Sequence, residues 1–60
     1  MQPPPGSLEK EYLDLCDKCV ELNMPDSVFE WIRAITDDER FEWNQRLHRA
    51  IRYIKNQVTQ

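Results

Sequence analysis

Cys16-Asp17-Lys18-Cys19 is the stretch whose residue types and spacing come closest to inorganic or redox chemistry. On a helix, a CxxC step brings both sulfurs to nearly one face. A closed zinc site needs four ligands. The only histidine is His48, so Asp17 or a second chain would have to complete the set. A thioredoxin-like reaction needs a strand-helix context for which this sequence has no pattern. The sequence therefore predicts two thiols packed as small apolar side chains, with no metal and no cofactor.

His48 has no serine or cysteine spaced to act with it as a nucleophile. The acids Asp37, Asp38 and Glu39 read as a helix start, and those of the first helix read as a solvated face. Neither group has an evident buried setting that would shift a pKa for catalysis. An enzyme with a small-molecule substrate is not expected.

A second constellation is electrostatic. Arg46, Arg49, Arg52 and Lys55 recur at three-residue steps, and no acid occurs from Trp43 onward. Residues 1 to 35 hold seven acids against three bases. The basic run could lie along phosphates, and a short helix, a turn and a longer helix echo helix-turn-helix order. The net charge of −3 and the acids at 37 to 39 oppose a polyanion. Nucleic-acid binding is the alternative reading, and solvated bases pairing with first-helix acids are the plainer one.

The elements that position these residues follow from periodicity. Three prolines in Met1 to Gly6 predict a flexible leader outside the fold. They lack the PxxP spacing and the basic neighbour that polyproline ligands favour. Ser7 can cap a helix over 8–22, whose apolar residues Leu8, Tyr12, Leu15, Cys16, Cys19 and Leu22 recur at helical steps. Asn23 is a candidate left-handed cap, and Pro25 marks the turn. Asp26 or Ser27 can cap a short apolar helix over 27–35. Thr36-Asp37-Asp38-Glu39 reads as a capping box opening a third helix over 37–57. Its stripe is Trp43, Leu47, Ala50, Ile51, Ile54 and Val58. The expected fold is all-α, one domain over 7–58, with the longer third helix packed across a hairpin of the first two.

Sixty residues bury only about 60% of the surface the unfolded chain exposes. Chains of this size usually add disulfides, a metal or a partner. Two cysteines three apart make no disulfide framework, no signal-peptide pattern is present, and no apolar run is long enough for a bilayer. A cytoplasmic, non-membrane protein is expected. Its six aromatics exceed what so small a core can enclose, which predicts an interface with another protein or with a second copy. The candidate interface residues are Tyr12, Leu15, Cys19, Phe29, Trp31, Ile32, Trp43 and Tyr53.

Leu8-Glu9-Lys10-Glu11-Tyr12-Leu13-Asp14-Leu15, followed by Cys19, Leu22-Asn23-Met24 and Val28 to Ile32, resembles the helical hairpin of the Sin family of bacterial antirepressors and repressors. The likeness covers about 25 residues and implies a non-catalytic hairpin that pairs with a like hairpin of another chain, either to dimerise or to disrupt a repressor. By matched position it would put Tyr12, Leu15, Cys19, Phe29 and Ile32 in the pairing surface. Here the turn is one residue shorter, Asp26-Ser27 stands where the family has two glutamates, and the third helix has no counterpart.

Overall fold

The computed structural model describes residues 6–59, which form three helices: α1 (Ser7–Glu21), α2 (Asp26–Thr36) and α3 (Trp43–Val58). The fold is all-α, as the periodicity predicts, with no strand among the described residues. The expected leader lies, apart from Gly6, outside them.

Local chemistry sets each helix end. Gly6, at φ 92°, is the residue before α1, and its carbonyl accepts from Lys10 N–H at 2.8 Å. Ser7 is thus the first helical residue and makes no side-chain cap. At the other end Asn23 has φ 53°. Asn23 N–H donates to Val20 O and Met24 N–H to Cys19 O, both at 3.1 Å. That pair of bonds, with a left-handed residue between, is a Schellman motif. Its usual apolar contact is also present, because Met24 packs on the cluster that contains Cys19. The predicted Asn23 cap is the one observed. Pro25 precedes α2, a place where a missing N–H costs nothing.

The start of α3 differs from expectation. Thr36 does not cap it; Thr36 is the last residue of α2, and its hydroxyl donates to Arg33 O at 3.1 Å. Residues 37–42 form a turn. Asp38 accepts from both the backbone and the guanidinium of Arg40, and Phe41 N–H donates to Asp38 O at 3.2 Å. Asp38 spends its carboxylate on a residue two ahead, a local bond that competes with helix. The capping box lies six residues later, between Glu42 and Gln45, where Glu42 N–H donates to Gln45 Oε1 at 3.3 Å.

The packing differs in one respect. α3 packs closely against both α1 and α2, as expected, while the α1 and α2 backbones stand apart and meet through side chains, Cys19 with Val28 and Ile32 in the core and Tyr12 with Thr36 further out. α2 and α3 are antiparallel: Thr36 meets Arg46 at one end and Trp31 meets Tyr53 further along. α1 is crossed by α3. Glu9 and Glu11 flank opposite sides of the apolar stripe of α1, and they meet Trp43 and Lys55, which are about 18 Å apart along α3. Cys19 of α1, Val28 and Ile32 of α2, and Ile54 of α3 form the cluster where all three helices converge. Leu47, Ala50 and Ile51 complete the buried set, all on α3. α3 is therefore the element on which the other two depend.

Candidate protein-binding surface

The predicted interface residues divide into two groups. Cys19 and Ile32 are buried in the core, and Tyr12, Leu15, Phe29 and Tyr53 are partly buried against it. Cys19 and Ile32 are thus corrected from interface to core: α3 covers the face of α1 and α2 on which they lie. The five positions that the Sin resemblance would put in a pairing surface all belong to this covered face. Trp31 and Trp43 remain 61% and 46% exposed.

Two further residues carry more exposed apolar surface than most of the predicted set. Leu13 is 58% and Val20 63% exposed. They are seven residues apart on α1 and so nearly eclipsed at 100° per residue, with half-buried Cys16 between them. The sequence pattern missed them because the strongest stripe of α1 lies about a quarter-turn away. The available signal was the 13/16/20 spacing, a second and narrower apolar row. Asp17 and Glu21 border this row, and neither makes an ion pair with a described residue.

Between α2 and α3 lies a separate shallow depression of about 350 Å³ lined by Ile35, Arg49, Arg52, Tyr53 and Asn56. Trp31 extends its wall, with ring centroids 6.5 Å from Tyr53 at an interplanar angle of 44°. A smaller depression of about 290 Å³, lined by Phe41, Gln45, His48 and Arg49, continues beyond Arg49. The Arg49 guanidinium lies 4.3 Å from the Phe41 ring centroid, a cation–π contact that holds it at the junction of the two.

The four predicted bases do not act as one face. Arg46 turns inward, where Nε donates to Phe41 O at 2.8 Å and Nη1 to Thr36 O at 3.2 Å. Lys55 pairs with Glu11 at 3.0 Å on the α1 side. Arg49 and Arg52 alone face the depression. The antiparallel packing of α2 and α3 is also unlike a helix-turn-helix, whose helices cross at about 90–120°.

The thiols are held in their protonated forms. Burial pushes both the Cys16 and Cys19 thiols up, and for Cys16 it outweighs a lowering by the Tyr12 hydroxyl. Tyr12 itself is pushed up to about 12, first by burial and then by Cys16. Among the described residues no three His, Cys, Asp or Glu side chains converge as a ligand set, and no helix is long and apolar enough to cross a membrane. His48 is exposed beside Phe41, Gln45 and Arg49. Comparison with family models, with characterised proteins and with solved structures finds no match.

Proposed function

We propose that this chain is a small, non-enzymatic, cytoplasmic protein-binding module that regulates a partner by covering its surface. The observation that carries this reading is the pair of uncovered apolar surfaces, Leu13 with Val20 on α1 and Trp31 beside the α2–α3 depression. Single exposed apolar residues are ordinary, but grouped ones rimmed by charge are the usual mark of an interaction site. Tryptophan and arginine are the residues most enriched among interface hot spots, and both line the second surface.

The likeness to Sin hairpins fits this reading in a modified form. In that family a hairpin is covered by a like hairpin of another chain; here α3 covers the matched face in cis. Recognition then passes to the outer faces of α1 and of the α2–α3 pair.

Nucleic-acid binding has less support, because only Arg49 and Arg52 are left for phosphates. Two contacts correspond to a roughly twelvefold affinity loss between 50 and 200 mM salt, against about 150-fold for four.

Affinity capture from native cytosol tests the proposal, comparing wild type with Trp31→Ala and with Val20→Asp. Proteins retained by wild type and lost with either variant support it. It fails if no protein is retained specifically and the chain also sediments as a monomer at every concentration.

A further inference from the structure

Resting on that reading, we infer that the partner of these two surfaces is a second copy of the same chain, with the outer row of α1 docking in the α2–α3 depression of its neighbour. Three properties of the surfaces match.

The first is apolar character. Leu13 and Val20 stand out from α1, while Trp31, Ile35 and Tyr53 supply an aromatic and aliphatic wall between α2 and α3. The second is length. Leu13 to Val20 and Arg49 to Asn56 are both seven-residue steps, about 10.5 Å of helix each. The third is charge. Asp17 and Glu21 border the α1 row on one side, and Arg49 and Arg52 border the depression on its α3 side only. None of these four is ion-paired within the described chain. Asp38, just past the end of α2, acts electrostatically on Arg49, so Arg52 is the freer of the two arginines; Trp31 and Ala34 on the α2 side are uncharged. An incoming α1 thus has one orientation in which its acids meet arginines while its leucine and valine meet Trp31 and Tyr53.

The contact cannot form within one chain. On α3, Lys55 faces α1 through Glu11, whereas Arg49 and Arg52 lie on the flank toward α2. The two surfaces are different patches, so the contact is heterologous and runs head to tail from copy to copy, closing into a ring or leaving an open chain.

Charge reversal at exposed positions tests this with little risk to the fold, which circular dichroism checks. Arg49→Glu with Arg52→Glu makes both surfaces acidic, and Asp17→Lys with Glu21→Lys makes both basic. Each double variant is expected to weaken self-association by tenfold or more in sedimentation at low salt. An equimolar mixture of the two, or all four changes in one chain, is expected to restore it. A monomeric wild type at tens of micromolar overturns the inference, and it leaves the broader reading standing if a captured protein is still lost with Trp31→Ala. Self-association unaffected by Arg49→Glu with Arg52→Glu also overturns it, pointing to an isologous α1–α1 contact. So does a monomer whose arginine reversal abolishes binding to a DNA duplex, which makes the depression a phosphate site.

Discussion

The Arg46 guanidinium and the Thr36 carbonyl, ten residues apart in sequence, are joined by a hydrogen bond of 3.2 Å. With the 2.8 Å bond from the same guanidinium to Phe41 O, it ties the end of α2 to the first turn of α3 and spans the segment between. Bonds from a charged donor contribute about 1.5–3 kcal/mol each, and these carbonyls can partly rehydrate once freed. Arg46→Ala is therefore expected to cost about 2 kcal/mol in denaturant melts. Arg46→Lys should recover little, because an ammonium lacks the planar fork that reaches two carbonyls. A loss below about 0.5 kcal/mol, the level of an ordinary surface change, would show that the staple is not made.

The shifted start of α3 separates two substitutions. Glu42→Ala removes a member of the capping box and should destabilise the chain by roughly 1 kcal/mol. Thr36→Ala removes a half-buried hydroxyl that bonds Arg33 O and neighbours Tyr12, and should cost less, about 0.5 kcal/mol. The opposite ranking would mean that α3 begins at Asp37.

Asp38 and Tyr12 predict opposite limbs of the pH profile. The Arg40 guanidinium, bonded to the Asp38 carboxylate, holds it down at about 2. The unfolded value is about 3.9. A depressed folded value means that this stabilisation is complete above that unfolded value and is lost as pH falls toward the folded one. Tyr12, raised to about 12 from an unfolded value of about 10, contributes fully below pH 10 and loses its contribution as pH climbs to 12. Melts across pH should lose part of the acid slope with Asp38→Asn. Tyr12→Phe should remove only part of the alkaline slope, because the raised Cys16 and Cys19 thiols also contribute to it. Profiles unchanged by either substitution would contradict these contacts.

Protonated, sheltered thiols react slowly, since the thiolate is the nucleophile and the metal ligand. Mass spectrometry after iodoacetamide treatment at neutral pH should find Cys16 modified before Cys19, and Cys19 only under denaturing conditions. A strong chelator is expected to leave the helical circular dichroism unchanged. A signal that falls with chelator and returns with zinc would put a metal between copies of the CxxC segment.

The helices were legible because their apolar steps are regular, and α1 and α2 fall within a residue or so of their predicted ends. The Asn23 cap was legible for a similarly local reason, the tolerance of asparagine for a left-handed backbone. Thr36 misled because a threonine before three acids has the composition of a helix start, while the Asp38–Arg40 pairing that bends the segment is a two-residue relationship that no periodicity reveals. That a longer third helix packs on the first two was legible, but how far apart α1 and α2 would stand was not, because nothing in one stripe says which neighbour will cover it. For the same reason Cys19 and Ile32 read equally well as interface or core, and Arg46 as a solvent-facing base.

Dependence of α1 and α2 on α3 also sets an order of assembly. The α2–α3 closure spans the six residues 37–42, whereas joining α1 to α3 closes a loop of about twenty-one residues, an added entropy of about 1 kcal/mol. Because α1 meets α2 through side chains alone and its closure onto α3 is the longer one, the helical pair α2–α3 is the expected nucleus and α1 the last element to dock. Substitutions such as Ile35→Val should then slow refolding, while those at Leu15 should mainly hasten unfolding. An α1 that docks last is also the first to detach, which makes the helix bearing Leu13 and Val20 the one a partner could exchange between copies without melting the rest.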